Sequence, residues 1–144
     1  MLKKTIKYTD YNGVEREEDF FFNLNKTELM EMEIGTEGGF AEKIQTIVKT
    51  KDNAAILKTF KELILKAYGV KSDDGKRFMK SDALRAEFEQ TEAYSELFME
   101  LATDAKAASD FVNGIVPADM QEQLKNMPDD VKKQIEEVTN QTVL

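Results

Sequence analysis

The chain contains no histidine and no cysteine. The first absence removes the commonest general acid–base side chain; the second removes the thiolate nucleophile, disulfides and thiolate metal sites. Ser-His-Asp and Cys-His catalysis are therefore excluded. No G-x-G-x-x-G or G-x-S-x-G pattern occurs, and Gly35, Gly38 and Gly39 are too irregular for a phosphate cradle, so they read as a helix break. No apolar run approaches the roughly 20 residues that cross a bilayer. The polar, strand-like N-terminal segment has no apolar signal core, so a soluble cytoplasmic protein with no membrane partner is expected. A basic patch is missing too. Lys3, Lys4 and Lys7 form the densest basic cluster, five acids follow between Asp10 and Asp19, and the net charge of −8 argues against nucleic acid.

What is present suits one compact domain. The 144 residues are 41% hydrophobic and 33% charged, enough for a sizeable core and too few for two comfortable domains.

The first segment alternates, with Leu2, Ile6 and Tyr8 on one side and Lys3, Lys7 and Thr9 on the other. Asn12-Gly13 is a turn signal, and Phe20, Phe22 and Leu24 alternate beyond it. A two-residue loop pairs Tyr11 with Val14 and sets Ile6 against Asp19. A three-residue loop pairs Asp10 with Val14 instead, so that Leu2 faces Phe22, Lys4 faces Phe20 and Ile6 faces Glu18. Only the second register gathers the apolar residues on one face, with Gly13 in a left-handed bulge position. It is the register predicted.

Beyond the hairpin the period becomes helical. Asn25 and Glu28 form a capping box for a short helix carrying Leu29, Met30 and Ile34, with Met30 expected in the core. Phe40, Ile44, Ile47 and Val48 recur at helical spacing. A strongly amphipathic helix follows, capped near Asp52, bearing Ile56, Phe60, Leu63, Ile64 and Ala67, and stopped by Gly69. Val70 to Lys80 reads as a polar loop around Asp73-Asp74-Gly75. Ser81 and Thr91 cap two further helices, carrying Leu84 and Phe88, then Tyr94, Leu97, Phe98 and Leu101. A last core helix begins near Asp104, presents Ala108, Phe111 and Val112, and ends at Gly114 before Pro117. From Ala118 onward Met120, Leu124, Met127, Val131, Ile135 and Val138 form a sparse stripe interrupted by Pro128, which fits two short helices.

The pattern predicts an α+β fold: an N-terminal β-hairpin packed on a mainly helical bundle of about five helices, with a C-terminal helical tail. Residues 1–117 form the hairpin-plus-helix domain and residues 118–144 the polar tail.

Candidate chemistry is sparse. Placing Gly75 at the sixth position of a calcium loop puts Val70 first and Ser81 twelfth, where acids are required, so that motif fails. Glu15, Glu17, Glu18 and Asp19 on the strand, and Glu28, Glu31 and Glu33 on the short helix, read as solvated faces. No catalytic residue, cofactor site or metal site is predicted.

Interaction surface is the positive feature. An isolated two-stranded hairpin is marginal, so this one must lie on helices or join a larger sheet. Phe21 points away from Phe20 and Phe22, so both faces carry an aromatic. Either the chain's own helices cover both, or Phe21 and a strand edge meet a partner or a second copy. Met120, Leu124 and Met127 join Phe21 as candidate partner-binding residues, because methionine suits adaptable binding surfaces.

The stretches Ile6-Lys-Tyr-Thr-Asp-Tyr-Asn-Gly13, Glu18-Asp-Phe-Phe-Phe-Asn-Leu-Asn25 and Glu28-Leu-Met-Glu-Met32 resemble tail assembly chaperones of long-tailed (siphovirus-type) phages and prophages of Gram-positive bacteria. So do Leu63-Ile-Leu-Lys-Ala-Tyr-Gly69, Gln90-Thr-Glu-Ala-Tyr94 through Leu101, and Phe111-Val-Asn-Gly-Ile-Val-Pro117. The resemblance implies a non-catalytic protein of the host cytoplasm that binds the tape measure protein and helps recruit tail tube protein. It transfers no catalytic residue and stops at Pro117. The alternatives are a structural virion protein, a tail or head-tail connector subunit that assembles into a ring through the hairpin, and a carboxylate-dependent enzyme.

Overall fold

A computed structural model describes residues 1–35, 38–39 and 53–117. Two eight-residue strands, β1 (Leu2–Thr9) and β2 (Glu15–Phe22), form the hairpin. Leu2 pairs with Phe22, Lys4 with Phe20 and Ile6 with Glu18, the three-residue-loop register. Gly13 takes φ +80°, a conformation open to glycine at no steric cost, and donates to the Asp10 carbonyl while Asp10 N–H donates to the Val14 carbonyl.

The Asp10 side chain locks this turn. Its carboxylate accepts from Asn12 N–H at 2.9 Å, Val14 N–H at 3.0 Å and Arg16 Nε at 2.6 Å. The Arg16 hydrogen bond, then the Val14 amide, hold its pKa below the ordinary carboxylate range. A carboxyl with a lowered folded pKa stabilises above its unfolded value of about 3.9 and loses that contribution as pH falls through the folded value. The Asn12 and Val14 amide resonances should therefore hold steady from pH 7 to 5 and shift only below about pH 4. An Asp10→Asn variant, followed by the same NMR titration, should show no such step.

Helix α1 (Lys26–Ile34) begins with the capping box, Asn25 Oδ1 accepting from Glu28 N–H and Glu28 Oε1 from Asn25 N–H. Leu29 and Met32 turn toward the core, but Met30 and Ile34 are exposed, so the expectation of Met30 in the core is corrected. They sit four residues apart, on the same exposed side of the helix.

Helix α2 (Asn53–Ala67) runs without a break into strand β3 (Tyr68–Lys71), which pairs with the short β4 (Phe78–Met79). The segment read as a polar loop is thus a second hairpin, and the sheet has four antiparallel strands in the order β1-β2-β3-β4. Gly69 does not stop the helix. It sits inside β3, where a Cβ would meet the Phe78 ring at 2.7 Å and the Met79 carbonyl at 2.9 Å.

Helices α3 (Asp82–Glu89), α4 (Glu92–Thr103) and α5 (Ala105–Ile115) start at Ser81, Thr91 and Asp104, each accepting backbone N–H groups that a helix start leaves unpaired. Gly114 is a further correction. It lies within α5, where a Cβ would come within 2.9 Å of Leu2, so glycine here permits close approach of helix and strand rather than ending the helix.

The core lies between the inner sheet face and the helices. Phe22, Leu24, Ile64, Phe88, Leu97, Leu101, Phe111 and Ile115 are fully buried there. Lys4 Nζ to Glu100 at 3.1 Å ties β1 to α4, and Lys61 to Glu89 at 2.8 Å ties α2 to α3. The helical run of Phe40, Ile44, Ile47 and Val48, the cap near Asp52 and the helical tail of residues 118–144 lie outside the described residues.

Candidate partner-binding surface

Strand parity sends the odd residues of β1 and β2 to the face opposite the core. From Lys3 to Thr9 and from Glu15 to Asp19 these side chains are exposed, so no described helix covers that outer face. Phe21 is the apolar exception. It is half-buried, opposite Lys3 on one side and Gly69 on the other. Lys71 Nζ stands 4.2 Å from its ring centroid, a cation–π contact, and the Phe78 ring closes over Gly69 from the far strand. Phe21, Gly69, Lys71 and Phe78 thus form a small aromatic patch with a cation at its margin.

Beside the patch the sheet opens. β2 and β3 pair only at Phe21–Gly69 and Phe22–Tyr68, after which β3 turns to β4. The gap is a cleft of about 310 Å³, lined by residues 18–21 of β2 and 68–71 of β3.

Above the cleft β2 is acidic. Its carboxylates are partly engaged: Glu17 lies 3.9 Å from Lys7, Asp19 accepts from the Thr5 hydroxyl at 2.6 Å, and Glu18 accepts from the Tyr8 hydroxyl. The Glu18 bond raises the pKa of the Tyr8 phenol above its ordinary value. Among the described residues no three metal-binding side chains come together. Nor is any described helix long and apolar enough to cross a membrane. The surface offers hydrogen-bonding edge, charge and aromatic contact, which suit the binding of another chain.

Of the residues singled out from the sequence, Phe21 is placed on this surface, whereas Met120, Leu124 and Met127 lie outside the described residues. Lys71, Gly69 and Phe78, which surround Phe21, escaped sequence reasoning. In the sequence Val70 to Lys80 reads as a loop and Gly69 as a helix stop, and only a cross-strand pairing brings these residues to Phe21.

Comparison with curated proteins and with solved structures gives no match. A family model described as phage tail assembly chaperone matches residues 1–144, so its match includes the segment after Pro117 that the motifs left outside the resemblance. The chain belongs to the phage tail assembly chaperone family.

Proposed function

We propose that the chain binds the tape measure protein in the cytoplasm of the bacterial host, keeps it soluble and helps recruit tail tube subunits while the tail is built. The family match along the whole chain carries this reading. The tape measure protein implied by the resemblance presents long amphipathic helices that aggregate unprotected. A net charge of −8 adds solubility to a complex with such a chain. In this reading residues 1–117 are the folded carrier, and residues 118–144, with Met120, Leu124 and Met127, are an arm that adds contact area alongside Phe21.

Co-expression with the tape measure protein of the same gene cluster, then pull-down and light scattering, tests this. The expected result is a soluble, co-eluting tape measure protein and a defined stoichiometry. The chain truncated after Pro117 should still melt cooperatively while capturing less of it. A tape measure protein left insoluble beside the full-length chain, with this chain retained in purified particles, would transfer the reading to a structural tail subunit.

A further inference from the structure

Among the described residues, the backbone of β2 is bonded on one side only for most of its length. Asp10 and Val14 are a hydrogen-bonded pair, and such pairs recur every second residue in an antiparallel ladder. Arg16, Glu18, Phe20 and Phe22 therefore direct their N–H and C=O groups to β1, while Glu15, Glu17, Asp19 and Phe21 direct theirs to the other edge. Asn23 N–H donating to the Ala67 carbonyl at 2.8 Å confirms that odd residues face β3. No described strand pairs with this edge beyond Phe21, so Glu15 to Asp19 offer an open edge of five residues, about 17 Å long.

Charge and shape say what fits it. Between Glu15 and Asp19 there are four acids and one base, and that base, Arg16, is held by Asp10 at 2.6 Å. Glu15, Glu17 and Asp19 all project on the outer face. The edge runs down into the cleft, where Phe20, Tyr68 and Val70 supply apolar walls and Lys71 is engaged by the Phe21 ring. A strand seated there would set cations against Glu15, Glu17 and Asp19 and an apolar side chain in the cleft.

We infer that the open edge of β2 takes up an extended, lysine- or arginine-bearing segment of the protein partner as an added strand. The inference rests on the partner-binding reading above and specifies its mode: main-chain pairing supplies affinity, and alternate side chains supply selectivity.

The probe is a fluorescein-labelled, end-blocked heptapeptide of alternating lysine and valine, titrated with the full-length chain and read by anisotropy. Two further versions carry N-methyl groups on one or the other alternate set of amides, which preserves charge. Strand addition predicts that one methylated set loses at least about tenfold in affinity and the other binds nearly as the parent. Glu17→Pro removes an N–H on the open edge without touching a bond to β1, and should weaken the parent peptide about as much. Should that variant fail to melt cooperatively, Glu17→Lys combined with Asp19→Lys tests the charge complementarity of the edge by the same loss of peptide affinity, and the two methylated sets still decide the main-chain pairing.

Equal affinity of both methylated sets, or no binding of the parent peptide, overturns the inference and leaves the acids as a guard against edge-to-edge aggregation. Peptide binding decides the edge; solubilisation of the tape measure protein by the unaltered chain separately decides the chaperone reading.

Discussion

Replacing Phe88 with alanine should lower the unfolding free energy by about 3–5 kcal/mol, the range for deleting a buried aromatic ring. The ring is 2% exposed, and four others meet it. Tyr68 stacks on it with centroids 4.2 Å apart, and Phe20, Phe22 and Tyr94 lie at 5.3, 5.8 and 5.7 Å. Each such pair adds about 0.5–1.5 kcal/mol beyond area burial, so removing the hub strips several neighbours at once. Small domains are stable by only about 5–15 kcal/mol, so this one substitution takes a large share. Urea unfolding followed by circular dichroism reads it as a lower midpoint at unchanged slope. Phe88→Leu should recover part of the loss by refilling the cavity. A loss below about 1 kcal/mol would mean that the surrounding rings close over the space without strain, and that α3 is not the keystone of this core.

The consequence reaches the binding surface. Phe20 and Phe22 are the inner-face neighbours of Phe21, and Tyr68 adjoins Gly69. Phe88 therefore holds from behind the two strands whose separation forms the cleft.

Features carried by local pattern were legible in the sequence. The register of the first hairpin follows from alternation and Asn12-Gly13, because a slip of one residue would have set Ile6 against Asp19 and split the apolar face. Asn25, Ser81 and Thr91 were legible as caps, and Asp104 as the start of the last core helix, because each supplies a side-chain oxygen to otherwise unpaired amides just before an apolar periodic run. The second hairpin was not legible, since strands of four and two residues are too short to show alternation, and β3 follows α2 with no breaker between them. In the sequence Gly69 and Gly114 read as helix stops, because spacing cannot distinguish a left-handed cap from a close contact. Both prove to be contact sites, one under Phe78 and the other against Leu2. On the candidate site, parity alone placed Phe21 on the outer face, while Lys71 and Phe78 arrive there only through pairings distant along the chain.

Lys80→Met should cost about 2–4 kcal/mol, below the full penalty for breaking a wholly buried ion pair because some solvent reaches this one. The Lys80 ammonium donates to Glu28 Oε2 at 2.6 Å, the Asn23 carbonyl at 2.7 Å and the Lys66 carbonyl at 2.8 Å, using all three of its protons. It thereby joins the exit of β2, the capping glutamate of α1 and the C-terminal turn of α2, where a cation also suits the helix dipole. Arg85 Nε reaches the Leu65 carbonyl at 3.1 Å on the same helix end. Burial pulls the Lys80 ammonium below the ordinary lysine range, and Glu28 opposes that pull without cancelling it. The pair is therefore no large source of stability in itself. The cost arises when one member is removed and the others keep their desolvation without a partner. Adding Glu28→Gln to Lys80→Met should accordingly return part of the loss, whereas Lys80→Arg should restore little, since a planar fork cannot reach three divergent oxygens. A double-mutant cycle by urea unfolding measures both effects. Strict additivity of the two substitutions would show that Lys80 acts through the two carbonyls alone.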